Sequence, residues 1–267
     1  KVNLLFCIDQ NFAPLLLQCL DSIQKNGGEE HYDAYLLHSD LPGPLQRSLT
    51  QRVGPAVTLH FIPVPEEVFE GFPVSRRYPR QIYYRIAAPL LLPHQLERIL
   101  YLDVDTIILR PLGALYRREF RGAYFLACTH TRRLLTKLNQ ARLGLEPDGQ
   151  IPYINTGVML LNLPQLRQRL DLAEIQRYVQ EHKMTLLLPD QDIVTALYGG
   201  NVRILDTMYY NLSDRMFLLE QAAQAALGHR RRDLDWVRRH SVILHFCGRM
   251  KPWKPDYIGP LGAFYRE

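Results

Sequence analysis

No run in this chain is apolar for the roughly 20 residues that a membrane-spanning helix needs. No pattern of a secretory signal opens it. Cysteine is scarce: Cys7, Cys19, Cys128 and Cys247 are the four, and none stands in a C-x-x-C pair. Cys7 and Cys247 lie in apolar runs. The set reads as reduced core residues of a cytoplasmic protein, not as a disulfide frame or a zinc site. There is no G-x-G-x-x-G after the first predicted strand and no G-x-x-x-x-G-K-[ST] anywhere, so a usual dinucleotide or P-loop site is not expected. A nucleotide bound here would need its phosphates neutralised another way. Repeats, low-complexity tracts and a clear linker are also missing. The chain therefore reads as one continuous domain over 1–267, with a C-terminal appendage from about Thr207.

What is present is ordinary for a globular protein. Of 267 residues, 47% are hydrophobic and 22% charged, which leaves room for a sizeable core. The net charge of +5 suits anionic substrates, an anionic membrane surface or nucleic acid, and decides among none of them. The chain begins at Lys1 rather than Met, which leaves room for a short natural N-terminus before it.

Residues 2–8 form an apolar run with a polar exit at Asp9, the pattern of a buried strand. Residues 14–26 carry a helical apolar pattern stopped by Gly27-Gly28. Strands are expected over 32–38 and 57–64, with a short helix over 45–53 between them. This β-α-β-α-β opening argues for a parallel sheet with helices on both faces. A charged, proline-bearing loop is expected over 66–80 and a helix over 81–92. Arg85 sits in that apolar helix, where it either snorkels to solvent or faces an anion. The long basic segment 129–152 reads as a mobile lid or an acceptor-facing excursion. Residues 154–157 lead into a strand over 158–163, and Asn155 with Gly157 there suggests backbone close to a ligand. Asp190 is placed as the N-cap of a helix reaching Tyr198. The arginine-rich segment 228–239 reads as a solvated helix or loop.

The most informative stretch is Arg98-Ile99-Leu100-Tyr101-Leu102-Asp103-Val104-Asp105-Thr106. A run of strand formers ends in two carboxylates one residue apart. Unpaired carboxylates cannot be carried into a core, so Asp103 and Asp105 belong at the strand exit. In an extended chain they share a face. Two hard oxygen ligands side by side suit Mg²⁺ or Mn²⁺, although the triplet by itself also fits a turn or a solvated strand end. Near the C-terminus, His245 lies within an apolar run and Gly248 and Lys251 follow. A core histidine explains the first; backbone and ammonium approaching a phosphate explain all three.

Six segments together resemble family 8 retaining glycosyltransferases with the GT-A fold, the group of bacterial lipopolysaccharide galactosyl- and glucosyltransferases and of glycogenin. They are Phe6-Cys7-Ile8-Asp9-Gln10-Asn11-Phe12, Tyr84-Arg85, Tyr101-Leu102-Asp103-Val104-Asp105, Asn155-Thr156-Gly157-Val158-Met159-Leu160-Leu161-Asn162, Asp190-Gln191-Asp192, and His245-Phe246-Cys247-Gly248-Arg249-Met250-Lys251-Pro252-Trp253. They run in family order along nearly the whole chain.

The resemblance implies an α/β GT-A fold, with a mixed, mostly parallel sheet between helices. It implies a UDP-glucose or UDP-galactose donor and Mn²⁺, with Mg²⁺ as the alternative ion, held by Asp103, Asp105 and His245. Cys7, Asp9, Asn11 and Phe12 would cradle uridine, Phe12 stacking on uracil. Gly248 and Lys251 would bind the diphosphate. Arg85, Asp103, Asn155, Thr156, Asp190 and Gln191 would hold the sugar, and Ile8 and Val104 would also belong to the donor site. Phe12 stands where family members often carry Tyr, and Thr156 near where they carry Ala or Ser. The acceptor would be a glycan or glycolipid, not nucleic acid. Action would be cytoplasmic, with peripheral contact to the inner membrane surface; the basic, aromatic membrane tail of bacterial relatives has no clear counterpart before Glu267.

Gln191 and Asp192 stand where a double displacement would need its nucleophile. A neutral amide is a poor nucleophile, so attack on the face that UDP leaves, with a phosphate oxygen as base, is expected. Two rivals remain. A haloacid-dehalogenase-like phosphatase would need Thr or Val where Ile107 stands, and a downstream G-D-x-x-x-D. A non-catalytic nucleotide-sugar or carbohydrate-binding protein on the same fold would be expected to lack part of the metal set.

Overall fold

The computed structural model describes residues 1–74, 80–131, 133–146, 151–229 and 232–266. Its centre is a seven-stranded sheet. In chain order the strands are β1 (Val2–Cys7), β2 (Tyr32–His38), β3 (Val57–Pro63), β4 (Arg98–Leu102), β5 (Thr106–Ile108), β6 (Phe125–Cys128), β7 (Asn155–Asn162), β8 (Val202–Ile204) and β9 (Ile243–His245). The large sheet runs β3-β2-β1-β4-β7-β6-β8, while β5 and β9 form a separate two-stranded sheet. Strands β3, β2, β1 and β4 are mutually parallel. Strand β7 is antiparallel to both β4 and β6, and β6 is parallel to β8. The sheet is thus mixed and mostly parallel, as expected.

The helices are α1 (Ala13–Asn26), α2 (Gly43–Arg52), α3 (Gln81–Leu91), α4 (Gly113–Tyr116), α5 (Arg133–Arg142), α6 (Leu163–Arg169), α7 (Leu172–His182), α8 (Pro189–Tyr198), α9 (Thr207–Tyr210), α10 (Asp214–Ala226), α11 (Leu234–His240) and α12 (Gly262–Arg266). The period-2 alternation of each strand divides the core. From β4, Ile99 and Tyr101 join one cluster with Tyr83, Tyr84, Ile86, Ile193 and Tyr198. Leu100 and Leu102 join the other with Leu16, Leu20 and Ile23 of α1. Both faces are covered, which is why β2 is buried along its whole length. Each fully buried leucine contributes roughly 1.5–3 kcal/mol. A third cluster, including Ile107, Leu212, Phe217, Leu244, Phe246 and Phe264, packs the chain beyond α9 around β5 and β9. No described helix is long and apolar enough to cross a membrane.

One local expectation changes and two gain detail. The segment 129–152 contains α5, whose Arg142 is tied to Asp192. Residues 132 and 147–150 of that segment, 75–79 of the loop expected over 66–80, and 230–231 of the arginine-rich segment lie outside the described residues. The arginine-rich segment 228–239 takes the helical form expected of it in its second half, where α11 begins behind the Asp233 cap. Gly157 lies inside β7 rather than ahead of the strand.

Candidate active site

Strand β4 stops at Leu102 and the chain turns through Asp103-Val104-Asp105 before β5. The two acids therefore sit on a turn and not on an extended strand, a correction to the shared-face argument. The turn is closed by Thr106 Oγ1, which donates to the Asp103 carbonyl at 2.8 Å. Asp103 N–H reaches the Gly157 carbonyl at 2.8 Å, so the β4–β7 ladder extends by one bond and places the turn against β7. Antiparallel pairing of β5 with β9 sets Thr106 opposite His245. The outcome is convergence: one ligand atom each from Asp103, Asp105 and His245 lie within 4.8 Å of one another. His245 Nε2 is 3.5 Å from Asp103 Oδ2 and 3.3 Å from Asp105 Oδ1.

These residues fit a divalent cation on two observations. His245 Nε2 is buried and turned to both carboxylates without a well-aligned hydrogen bond to either; the two acids favour a proton there, and a cation held by all three would take that proton's place. Gly157 supplies the room, because a Cβ built there would collide with the His245 ring and the Asp103 carboxylate. Two carboxylates and one imidazole suit Mn²⁺ better than Mg²⁺, which prefers oxygen alone. Burial opposes charge on both acids, but their partners win. Arg85 and His245 hold the Asp103 carboxyl below its ordinary range, and His245 and Lys251 do so for Asp105.

A second group of residues flanks this cluster. Arg85 of α3 pairs with Asp103 at 3.1 Å and with Asp190 at 2.9 Å, and stacks over the Tyr101 ring at 4.7 Å. It faces anions rather than snorkelling. Asp190 Oδ2 also accepts from Thr156 Oγ1 at 2.6 Å. Tyr101 donates to Asp103 Oδ1 at 2.5 Å. Lys251 donates to Asp105 Oδ2 at 2.6 Å and to the Phe246 carbonyl at 2.8 Å.

Two cavities open on either side. One, of about 320 Å³, is walled by Cys7, Asp9, Phe12, Gln81, Arg85, Asp103, Val104, Asp105, Lys251 and Trp253, among others. The other, of about 300 Å³, is walled by His130, Tyr153, Asn155, Gln191, Ser213, Arg215, His245, Cys247 and Gly248, among others. Carboxylates and cations that meet at the wall between two cavities can hold a charged group in one while a second reactant enters the other.

The profile of Glycosyl transferase family 8 matches residues 3–256. The chain belongs to glycosyltransferase family 8. It is 24% identical over 272 residues to a lipopolysaccharide 1,2-glucosyltransferase of Escherichia coli, spanning 98% of this chain and 76% of that one. General stress protein A of Bacillus subtilis is also 24% identical over 272 residues, spanning 97% and 90%. The galactosyltransferase LgtC, solved in complex with donor and acceptor sugar analogs, superposes with a TM-score of 0.78 at 20% identity, covering 99% of this chain and 94% of that one. The fold is the GT-A fold of these glycosyltransferases.

Most residues singled out in the family 8 segments meet at this place, but not all. Asp192 does not reach either cavity: it is fully buried. Its carboxylate takes a bidentate pair from Arg142 at 2.7 and 2.9 Å, a bond from the Tyr153 hydroxyl at 2.7 Å, and the Leu187 and Leu188 amides. It holds the entrance of α8 and has no lone pair to offer a substrate. Asp190 is not the N-cap of α8, since Leu188 takes that position. Ile8 is a core residue. Asn11 is exposed, with its amide on the Asp9 carboxylate at 2.8 Å, and neither it nor Ile8 is among the residues walling the first cavity. Gly248 lines the second cavity while Lys251 lines the first.

Cysteine placement also departs from expectation. Cys247 is exposed at the second cavity, and Cys7 is half-buried in the wall of the first. Burial pushes the Cys7 thiol up to about 12, so it stays neutral. His130 was missed altogether. Burial, then His245 and Arg215, bring its ring down to about 4. It is neutral at physiological pH, donating Nε2–H to the Asn211 carbonyl at 2.8 Å with Nδ1 3.8 Å from Cys247 Sγ. A lone histidine after a strand carries no signal of this kind. Trp253 was in the quoted motif, and its ring beside Lys251 was the available hint.

Proposed function

We propose that this family 8 enzyme transfers a hexose, glucose or galactose, from a UDP-sugar to a glycan or lipopolysaccharide-type acceptor with retention at the anomeric carbon, using Mn²⁺. The observation that carries the reading is the Asp103–Asp105–His245 cluster at the wall between two cavities. The first cavity is assigned to the nucleotide and the second to the acceptor. Bound at the cluster, the cation supplies Lewis-acid neutralisation of the diphosphate leaving group.

The chain's own groups do the rest. Phe12 offers an exposed ring for the uracil face, and Asp9 an acceptor for its edge. Lys251 faces the departing diphosphate from the first cavity, adding a fixed charge where negative charge develops. Arg85 bridges Asp103 and Asp190 and fixes the distance between them. Asp190, oriented by the Thr156 hydroxyl, accepts from sugar hydroxyls, and Gln191 offers its amide from the wall of the second cavity. Asp192 is locked to Arg142 and Asp190 to Arg85, so neither is free to attack the anomeric carbon. The acceptor hydroxyl then attacks on the face that UDP vacates, and a diphosphate oxygen takes its proton. The expected site of action is the cytoplasm, at the inner membrane surface where a lipid-linked glycan would be met.

A donor screen reading UDP release, with Mn²⁺ and after chelation, tests this. UDP-glucose or UDP-galactose should release UDP only with the cation present, and calorimetry should show UDP affinity lost on chelation. Equal UDP affinity with and without Mn²⁺ would remove the metal assignment. Release from neither hexose donor, with glycan acceptors or water, would remove the hexose assignment.

A further inference from the structure

Asn211 is fully buried at the C-terminal end of α9. Its amide is bonded on both sides. Nδ2 donates to Asn155 Oδ1 at 2.9 Å, and Oδ1 faces His245 Nδ1 at 2.9 Å. The direction of this chain is fixed from one end. Gly157 N–H bonds the same Asn155 oxygen at 3.1 Å, and a backbone N–H can only donate. The Asn155 atom is therefore the carbonyl oxygen, and the Asn211 group facing it must be the NH₂. The other Asn211 atom is then the oxygen, which only accepts, so His245 Nδ1 must carry the proton. The remaining nitrogen, Nε2, is the one turned to Asp103 and Asp105.

We infer that Asn211 is a positioning residue for the cation site: it holds the proton on His245 Nδ1 and aims Nε2 at the two carboxylates. This rests on the metal-dependent reading above. Partners of this kind fix the tautomer and ring orientation of a ligating histidine, and their loss costs about 10–100-fold in metal affinity. The Asn211 backbone is itself anchored, its N–H on the Thr207 carbonyl and its carbonyl on His130. The amide is thus presented by a fixed frame and cannot follow a displaced ring.

The test compares Asn211→Ala with Asn211→Asp. Asp keeps an acceptor oxygen opposite Nδ1–H, and Ala removes it. Free Mn²⁺ is followed by electron paramagnetic resonance during titration of the UDP-saturated protein, beside the thermal unfolding midpoint in EDTA. Asn211→Ala should bind Mn²⁺ about 10–100-fold more weakly, and Asn211→Asp should stay within about threefold of the unsubstituted protein. A residue that only packs would lower the midpoint in both variants and leave the affinity of the folded protein unchanged. Unchanged affinity in Asn211→Ala overturns the inference. So does a loss of about tenfold or more in folded Asn211→Asp, and that variant alone decides if Asn211→Ala does not fold. If the unsubstituted protein takes up no Mn²⁺ with UDP, the metal-dependent reading falls, and this inference with it.

Discussion

Gly157→Ala adds one methyl group and removes no ligand, yet it should disable the site. The new Cβ would collide with the His245 ring and the Asp103 carboxylate. The question is which side gives way. Gly157 is pinned by its N–H on Asn155 Oδ1 at 3.1 Å and its carbonyl under Asp103 N–H at 2.8 Å. His245 is held by the β5–β9 ladder and by Asn211. Asp103 is held by Arg85 and Tyr101. No flexible side-chain end is available to absorb the clash, so backbone or ligands must shift. Overpacking of this kind costs about 1–3 kcal/mol, or a few degrees in the unfolding midpoint for a domain of this size. A displacement of about 1 Å at the reacting geometry costs about 10²-fold in rate. The assay is Mn²⁺-dependent UDP release, with Mn²⁺ affinity and thermal unfolding beside it. Gly200→Ala is the control, since a Cβ there meets nothing within 4 Å and should change stability by no more than about 0.5 kcal/mol. Gly157→Ala with Mn²⁺ affinity and turnover within about threefold of the unsubstituted protein would refute the argument, because misplacement by about 1 Å cannot be that cheap.

Lys251→Ala should lower turnover by about 10²-fold or more, the scale for losing one charge-stabilising group at a leaving anion; a loss under about threefold in steady-state kinetics would put Lys251 outside the reaction. Asp192→Ala should destabilise the protein by about 3–5 kcal/mol, because it leaves Arg142 unpaired against the core; a denaturant midpoint unchanged from the unsubstituted protein would contradict that. Gln191→Ala should slow the reaction without abolishing it, and an α-linked UDP-hexose should give an α-linked product. The anomeric proton signal of the product decides the second point, and a β-linkage would overturn the retaining reading.

Legibility of the site in the sequence followed the range of the interaction. Asp103 and Asp105 were readable because a strand cannot carry carboxylates inward, which is a rule about adjacent residues. The β-α-β-α-β opening was readable for the same reason, through local periodicity. Asp192 was not. Its character is set by Arg142, 50 residues away, and no spacing in the chain announces that pair. Asp190 reads as a cap from its neighbours, yet Asp192 bonds the Leu187 and Leu188 amides at the helix entrance and leaves Asp190 to Arg85. Cys247 looks apolar in its own segment, but β9 ends two residues earlier and the chain emerges at a cavity. The direction of β7 was equally hidden, since alternation is the same in a parallel and an antiparallel ladder.

Charge arithmetic explains why such a site needs both of its occupants. In the ion-pair network around the cluster stand three carboxylates, Asp103, Asp105 and Asp190, and two fixed cations, Arg85 and Lys251. The two acids beside His245 favour its protonated ring, so without a cation the balance is zero, and with that proton gone it is one negative charge. A doubly anionic diphosphate entering alone would find no positive balance to hold it. Unit charges 4 Å apart interact by roughly 4 kcal/mol at an effective dielectric near 20, so the sign of that balance outweighs a few good hydrogen bonds. A divalent cation in place of the His245 proton brings the balance of this network to one positive charge and makes it attractive to the diphosphate. The two ligands must therefore assist each other, and by linkage each raises the affinity of the other by the same factor. Lys251 and Arg85 cannot replace the cation, because each is already committed to one or two of the acids it neutralises. In the proposed reaction their role begins when the sugar–phosphate bond lengthens and the diphosphate gains a further charge. At that moment Lys251, already fixed beside Asp105, needs no reorganisation to meet it, which is the condition under which one fixed charge contributes most to rate.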